Sequence, residues 1–125
     1  MSENKEYVTQ NLEAGSIHIS EEVIASIASA AALEVEGVYG LSSTGSELSK
    51  LAKKAVGKEI RVMISSDNQI SIDCYVVVLY GCSVVDVAKN VQEAIVSAVE
   101  STTGQQVRDV NVSVGGISLP RGTKK

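Results

Sequence analysis

The sequence predicts an α+β fold of two layers, in which two amphipathic helices pack on one face of a small mixed β-sheet. Two segments place apolar residues at helical spacing, and four shorter segments have the pattern of strands. Their order along the chain is β-α-β-β-α-β. Because each helix has one apolar stripe and the strands prefer one face, both helices are expected on the same side of the sheet.

The first strand and helix follow a polar N-terminal segment. Residues 1–14 predict a flexible, solvated tail. Residues 16–19 alternate as a short strand, and Ser20 is a favourable N-cap with two glutamates in the first helical turn, where the helix dipole favours anions. Gly37 is expected to end this helix. Its predicted apolar stripe comprises Val23, Ile24, Ile27, Ala28, Ala31 and Val35.

The region 38–57 has the weakest pattern. Residues 42–46 have the composition of a flexible loop, and a short amphipathic segment follows them. The outer side of that segment carries Lys50, Lys53 and Lys54, which form the basic cluster of the body together with Lys58 and Arg61. Such a cluster is either a solvated helix face or a contact for acidic lipid headgroups or an acidic partner segment.

A β-hairpin and a second helix make up the rest of the domain. Residues 59–65 and 70–80 predict two strands joined by a turn at 67–69. Residues 81–83 open the second helix, Gly104 ends it, and 107–114 form the last strand. The stripe of the second helix comprises Val84, Val87, Ala88, Val91, Ile95, Ala98, Val99 and Thr102.

The long strand has apolar residues on both of its faces. One face carries the even-numbered residues from Ile70 to Tyr80, and the other carries Tyr75, Val77 and Leu79 after Ser71 and Asp73. A strand with one wet face should alternate apolar and polar residues throughout. The three apolar residues therefore predict contact with another copy or a partner, unless residues 38–41 and 117–119 fold back over them.

Composition and charge limit the kinds of function that the protein can have. The chain has 125 residues, no Phe or Trp, and a formal charge of −4. Its body is acidic, whereas residues 119–125 form a basic tail that contains Arg121, Lys124 and Lys125. An acidic body with few aromatic rings argues against nucleic acid as a partner.

The sequence offers no catalytic, metal or cofactor site. Cys74 and Cys82 are separated by an extended segment too long for a disulfide, and one histidine without a CxxC pair makes no zinc site. His18 is expected on the surface, and Cys82 lacks the partners of a nucleophile. The Gly37–Gly40 spacing resembles a nucleic-acid clamp, but its central residues are not basic. The protein is therefore predicted not to be an enzyme, and no cofactor is expected.

Two amides border the apolar stripe of the second helix. Asn90 and Gln92 lie about 100° on either side of Val91. They either satisfy nearby backbone groups or contribute to docking a partner.

No secretory signal or membrane-spanning run is visible, so a cytoplasmic location without direct membrane insertion is expected. Any membrane role would then depend on another protein.

Four ordered segments resemble the alkaline-shock, or Gls-type, envelope stress response family of Gram-positive bacteria. They are Gly15-x-Ile17-x-Ile19-Ser20-x-x-Val23-Ile24, then Glu34-Val35-Glu36-Gly37-Val38-Tyr39-Gly40, then Tyr80-Gly81 with Val87-Ala88-x-Asn90-Val91-Gln92, and finally Val110-Asn111-Val112-x-Val114. The resemblance covers residues 15–118, which are taken as the domain.

The resemblance implies a small cytosolic protein without known catalysis that self-associates and acts in envelope homeostasis. Members can be held at the inner face of the membrane by a small membrane-anchored partner. The function expected from it is a scaffold or adaptor. The alternative, drawn from short relatives, is a regulatory protein that binds a biotin-dependent carboxylase of fatty-acid synthesis.

Overall fold

The computed structural model describes residues 7–41 and 59–119, which form two helices and six strands. The elements are β1 (Tyr7–Leu12), β2 (Gly15–Ser20), α1 (Glu21–Leu33), β3 (Val38–Leu41), β4 (Ile60–Ile64), β5 (Ile70–Leu79), α2 (Val84–Thr103) and β6 (Val107–Ser118). The predicted α+β class and both helices are confirmed. The order differs from the prediction by two further strands, β1 and β3.

Strand β5 is the centre of the main sheet. Strand β6 runs parallel to it along one edge, and β3 and β4 share the other edge, both antiparallel to β5. Strand β4 pairs with the first half of β5, and β3 pairs with the second half. The sheet is therefore mixed, as predicted.

The core lies between the sheet and the two helices. The even-numbered residues of β5 from Ile70 to Val78 are fully buried, and the other buried side chains come from both helices and from β1, β4 and β6. Among residues 7–41 and 59–119, every buried apolar residue is Val, Ile, Ala or Cys. A core without aromatic rings depends on many small, close contacts, so its packing tolerates little change in volume.

The helices begin as expected, but α1 ends earlier. The Ser20 hydroxyl accepts from the Val23 N–H, the Ser83 hydroxyl accepts from the Asp86 N–H, and Gly104 ends α2 in the left-handed conformation. Helix α1 ends at Leu33, whereas Gly37, at φ +100°, lies in the turn before β3. Its function is to reverse the chain, not to cap the helix.

Two stripe residues were misplaced by the periodicity. Val23 lies in the first turn of α1 and is exposed, while Ala32 takes a buried position. At the end of α2, Thr103 is buried and Thr102 is exposed, because the Thr103 hydroxyl turns back to donate to the Val99 carbonyl.

The β4–β5 hairpin is confirmed, and Asn68 sets its turn. Asn68 has φ +66° and its N–H donates to the Ser65 carbonyl at 3.0 Å, while the Ser65 N–H donates to the Gln69 carbonyl at 2.9 Å. A short loop with a left-handed residue in this position is a common hairpin connection, and asparagine tolerates that conformation.

The solvated tail predicted over residues 1–14 is wrong from Tyr7 onward; residues 1–6 lie outside the described chain. Strand β1 pairs with β2, and Val8 is fully buried. The Asn68 amide binds the Thr9 backbone at both N–H and carbonyl (3.3 and 3.0 Å), and the Gln10 amide donates to the Thr103 carbonyl at 2.6 Å. Polar side chains dock this strand, so an apolar pattern could not reveal it.

Candidate interaction surface

The open face of the sheet is the side turned away from the helices. It is formed by the odd-numbered residues of β5 and by the residues paired with them on β3, β4 and β6. Both helices contact the opposite face, where the even-numbered residues of β5 are buried. The two apolar sides of β5 thus lie in different environments, as the sequence pattern predicts.

The first half of the open face is polar. Asp73 lies at its centre, paired with Arg61 on β4 and with Asn111 on β6. The Asn111 amide donates to the Asp73 carboxylate at 3.0 Å. Ser71 lies one pair further along, beside Met63. Cross-strand polar pairs of this kind belong on a solvated surface.

The second half of the open face is apolar and centres on Val77. Tyr75 and Val77 are half-buried and Leu79 is 40% exposed. Val77 pairs with Gly40 on one side and Gly116 on the other. A side chain built at Gly40 would meet nothing within 4 Å. The two glycines leave a shallow groove on either side of Val77, and this apolar surface of Tyr75, Val77 and Leu79 with the two glycines is called the trough.

The two segments considered as a cover for this trough do not fold over it. Residues 38–41 form β3, beside β5, and residues 117–118 continue β6 along its other edge. Val38 and Leu41 turn toward the core, on the side of the helices. Both segments widen the sheet, and the apolar trough stays uncovered by the described residues.

More exposed apolar side chains gather where these three strands end. The Leu79 N–H donates to the Gly37 carbonyl at 2.8 Å, and the Tyr80 N–H donates to the Ser118 carbonyl at 3.0 Å. Tyr39, Tyr80, Ile117 and Leu119 lie within two residues of these bonds, and all four side chains are exposed. The sequence pattern does not mark these residues as contact residues, although Tyr39 and Tyr80 are half of the aromatic residues in the chain.

The other predicted contact residues lie elsewhere. Asn90 is exposed on α2, on the opposite side of the sheet from the trough. The Gln92 amide donates to the Val110 carbonyl at 2.9 Å, which is the backbone-satisfying role that the sequence left open. Lys50, Lys53 and Lys54 fall outside the described residues, so their proposed contact stays a prediction.

The three residues most able to carry chemistry lie on different elements: His18 on β2, Cys74 on β5, and Cys82 in the turn before α2. His18 is exposed on the hairpin, where its ring contacts the Thr9 hydroxyl at 3.1 Å and meets the Tyr7 ring edge-on. Cys74 and Cys82 are free, and burial raises the pKa of the Cys74 thiol to about 12. Within residues 7–41 and 59–119, no group of His, Cys, Asp or Glu side chains could hold a metal ion. No helix in these ranges is long and apolar enough to cross a membrane.

A family model matches residues 9–119, which covers most of the chain and begins within β1. It describes the alkaline shock protein 23 family, with a cell envelope-related function. The chain belongs to this alkaline-shock family. The family resemblance drawn from the four sequence segments is therefore confirmed, and the match extends to part of the strand that the sequence analysis treated as a tail.

Relatives in Gram-positive bacteria are similar over nearly their full length. YloU of Bacillus subtilis, an uncharacterized protein, is 35% identical over 84% of this chain and 90% of its own. Spy1614 of Streptococcus pyogenes is 35% identical over 87% of this chain and 93% of its own. Neither name indicates a catalytic activity.

Among solved structures, the chain is similar to the C-terminal domain of MamM, with 20% identity and a TM-score of 0.49. The likeness covers 77% of this chain and 98% of the MamM domain. It is too distant to bear on function.

Proposed function

We propose that this alkaline-shock-family protein is a non-enzymatic scaffold or adaptor in cell-envelope stress response and homeostasis, acting by self-association and by binding a protein partner. The observation that carries the proposal is the apolar half of the open face. Tyr75, Val77 and Leu79 form it, with Gly40 and Gly116 at its sides.

The shape and chemistry of this surface favour a protein partner. It is a shallow trough on a sheet, whereas sites for small molecules are deep and enclosed. The polar pairs around Asp73 border it at one end, which gives the apolar centre and polar rim typical of a protein interface. A contiguous apolar patch on a monomer commonly marks such an interface.

The proposed location is the cytoplasm, with recruitment to the inner face of the membrane through a small membrane-anchored partner. The family description supports a role at the envelope. An apolar trough on a rigid sheet suits an apolar segment of such a partner, and the lysines at positions 50, 53 and 54 are proposed to assist its docking.

The absence of catalysis is also part of the proposal. His18 lies on the β1–β2 hairpin, on a different element from either thiol, and burial raises the pKa of the Cys74 thiol. A nucleophile needs a neighbouring base and access to substrate, and these residues supply neither together.

The test is Val77→Asp, with Ser71→Asp as the matched control on the same strand and face. A charge in the trough should abolish self-association and partner capture, while a charge in the polar half should leave both unchanged. Sedimentation gives the mass, circular dichroism gives the fold, and pull-downs from membrane and soluble fractions identify the partner.

Two outcomes would contradict the proposal. If Val77→Asp unfolds while Ser71→Asp does not, the residue belongs to the core and the surface is not an interface. If both variants fold and retain the mass and partners of the native protein, the trough has no binding role. Capture of a soluble biotin-dependent carboxylase through the trough would favour the regulatory alternative over the envelope scaffold.

A further inference from the structure

The β1–β2 hairpin, which we call the arm (residues 7–20), adds little to the core. Its two strands pair with each other in a sheet separate from the main one. Among residues 7–20, all of which the structure describes, only Val8 has a buried side chain, and Ile19 is half-buried against the core. Strands β3 and β6 also contribute few buried side chains, but they are bonded to β5 along their length. The arm has neither kind of support.

Two side-chain amides fasten the arm to one end of the domain. The Asn68 amide oxygen accepts from the Thr9 N–H at 3.3 Å, and its nitrogen donates to the Thr9 carbonyl at 3.0 Å. The Gln10 amide donates to the Thr103 carbonyl at 2.6 Å. The arm therefore contacts the β4–β5 turn and the end of α2 through polar groups.

The β4–β5 turn holds the Asn68 amide in place. Asn68 has φ +66°, and its N–H closes the turn by donating to the Ser65 carbonyl at 3.0 Å. Asparagine tolerates this left-handed conformation, and its amide carries both donor and acceptor groups. These groups match the N–H and the carbonyl of one extended residue, so the side chain binds Thr9 as a neighbouring strand would.

One residue joins the arm to the helical layer. Ser20 ends β2 and is also the N-cap of α1, with extended backbone angles of φ −76° and ψ 158°. Rotation about this residue moves the arm without breaking a bond of the main sheet. Opening exposes Val8 and Ile19 and breaks the three amide hydrogen bonds, whereas global unfolding exposes the whole core. Opening of the arm therefore costs much less free energy than global unfolding.

We infer that the arm opens as a unit about Ser20 while the main sheet and both helices stay folded, and that the Asn68 amide is the latch that keeps it closed. Elements with few buried contacts commonly open locally in this way. The open arm uncovers the apolar site of Val8, at the end of the domain where α1 begins and α2 ends. This end lies about 23 Å along β5 from the trough, since seven residues separate Ile70, beside the turn, from Val77. The arm is therefore distinct from the interface proposed above.

Thiol labelling compares the arm with the main sheet in one molecule. In a Cys82→Ser background, Val8→Cys places a thiol on the arm, and the native Cys74 provides a thiol on β5; both positions are fully buried. Under native conditions, N-ethylmaleimide should modify position 8 at least about tenfold faster than Cys74, because opening of the arm exposes only position 8. Peptide mass spectrometry measures both rates in the same sample.

A core substitution far from the arm distinguishes local from global opening. Val78 is fully buried near the end of β5 that carries the trough. Val78→Ala lowers the stability of the whole domain, so it should speed the labelling of Cys74 about tenfold or more. Labelling at position 8 should stay within about twofold of its rate without this substitution, because the arm opens without disturbing Val78.

Asn68→Gly tests the latch. Glycine retains the left-handed backbone of the turn but lacks the amide. Labelling at position 8 should rise about tenfold or more, as expected for the loss of two hydrogen bonds to Thr9. Gln69→Ala removes an exposed side chain of the same turn, so this matched control should leave the rate unchanged.

Equal labelling rates at position 8 and Cys74 would overturn the inference, because the arm would then open only with the whole domain. An equal rise of both rates in Val78→Ala would overturn it for the same reason. If Asn68→Gly leaves the rate at position 8 unchanged, Asn68 is not the latch. If that variant does not fold, the first two comparisons still decide, since they retain Asn68. Labelling does not depend on self-association, so a failure of the arm inference leaves the proposed function of the trough standing.

Discussion

The two faces of β5 show how one strand can serve two purposes. On the covered face, Val76 and its even-numbered neighbours are fully buried among side chains of both helices. On the open face, Val77 lies between two glycines, and neither α1 nor α2 covers it. In the second half of β5 both faces carry apolar residues, so hydrophobicity alone does not distinguish core from surface there.

The difference lies in what each face meets. The covered face is matched by two apolar helix stripes, and its contribution is to the stability of the fold. The open face is matched by nothing in the described chain, and apolar residues there lower solubility unless another molecule covers them. Paired substitutions, one on each face, measure this difference directly.

Two glycines provide the contrast with the largest expected effect. Gly37 has φ +100°, and a Cβ there would lie 2.6 Å from a methyl of Val87, whereas Gly40 faces the open side with nothing within 4 Å. Gly37→Ala should lower the free energy of unfolding by about 3 kcal/mol, through backbone strain and overpacking. Gly40→Ala should change it by less than about 1 kcal/mol. Urea denaturation measures both.

A loss of stability in Gly40→Ala as large as that in Gly37→Ala would mean that an added methyl group at position 40 meets close neighbours on the open face. The trough would then not be available to a partner.

Val76→Ala and Val77→Ala compare the same substitution at adjacent residues. Val76 is fully buried, so losing two methyl groups and leaving a cavity should cost about 2 kcal/mol of unfolding free energy. Val77 is half-buried, and its replacement should cost less than about 1 kcal/mol when measured on dilute protein. If association through the open face stabilises the protein, the cost at Val77 should rise with protein concentration. A cost at Val77 equal to that at Val76 in dilute protein would contradict the division between the faces.

Elements with their own sequence signals could be predicted. Helix α2 has a serine N-cap, a continuous apolar stripe and a glycine at its end, and each of these is a local feature. The β4–β5 hairpin has alternation on both sides of a short polar turn. Alternation along β5 also distinguished Tyr75, Val77 and Leu79 from the core residues.

Elements held by tertiary contacts could not be predicted from the sequence. Strand β1 contributes one core residue, Val8, and its docking depends on amides of Asn68 and Gln10 that contact backbone groups distant in sequence. Strand β3 has four residues and depends on pairing with β5. The glycines that open the trough around Val77 come from β3 and β6, so their role depends on strand register, which one strand's pattern does not specify.

The last prediction uses Cys74 to test how well the covered face excludes water. The Cys74 thiol has an ordinary pKa of 9.0, which burial raises to about 12 in the folded protein. Between these values the unfolded chain loses a proton that the folded protein keeps, so stability should fall as the pH rises above 9. From about pH 8 to pH 10 this group should remove roughly 1 kcal/mol of unfolding free energy. Urea denaturation at the two pH values measures the loss, and subtracting the value for Cys74→Ala removes the contribution of the lysines and tyrosines. Cys82→Ala, which leaves Cys74 in place, should retain the loss that is due to Cys74. If Cys74→Ala loses as much stability as the native chain over this range, water reaches the thiol in the folded protein, and the covered face is not sealed by the two helices.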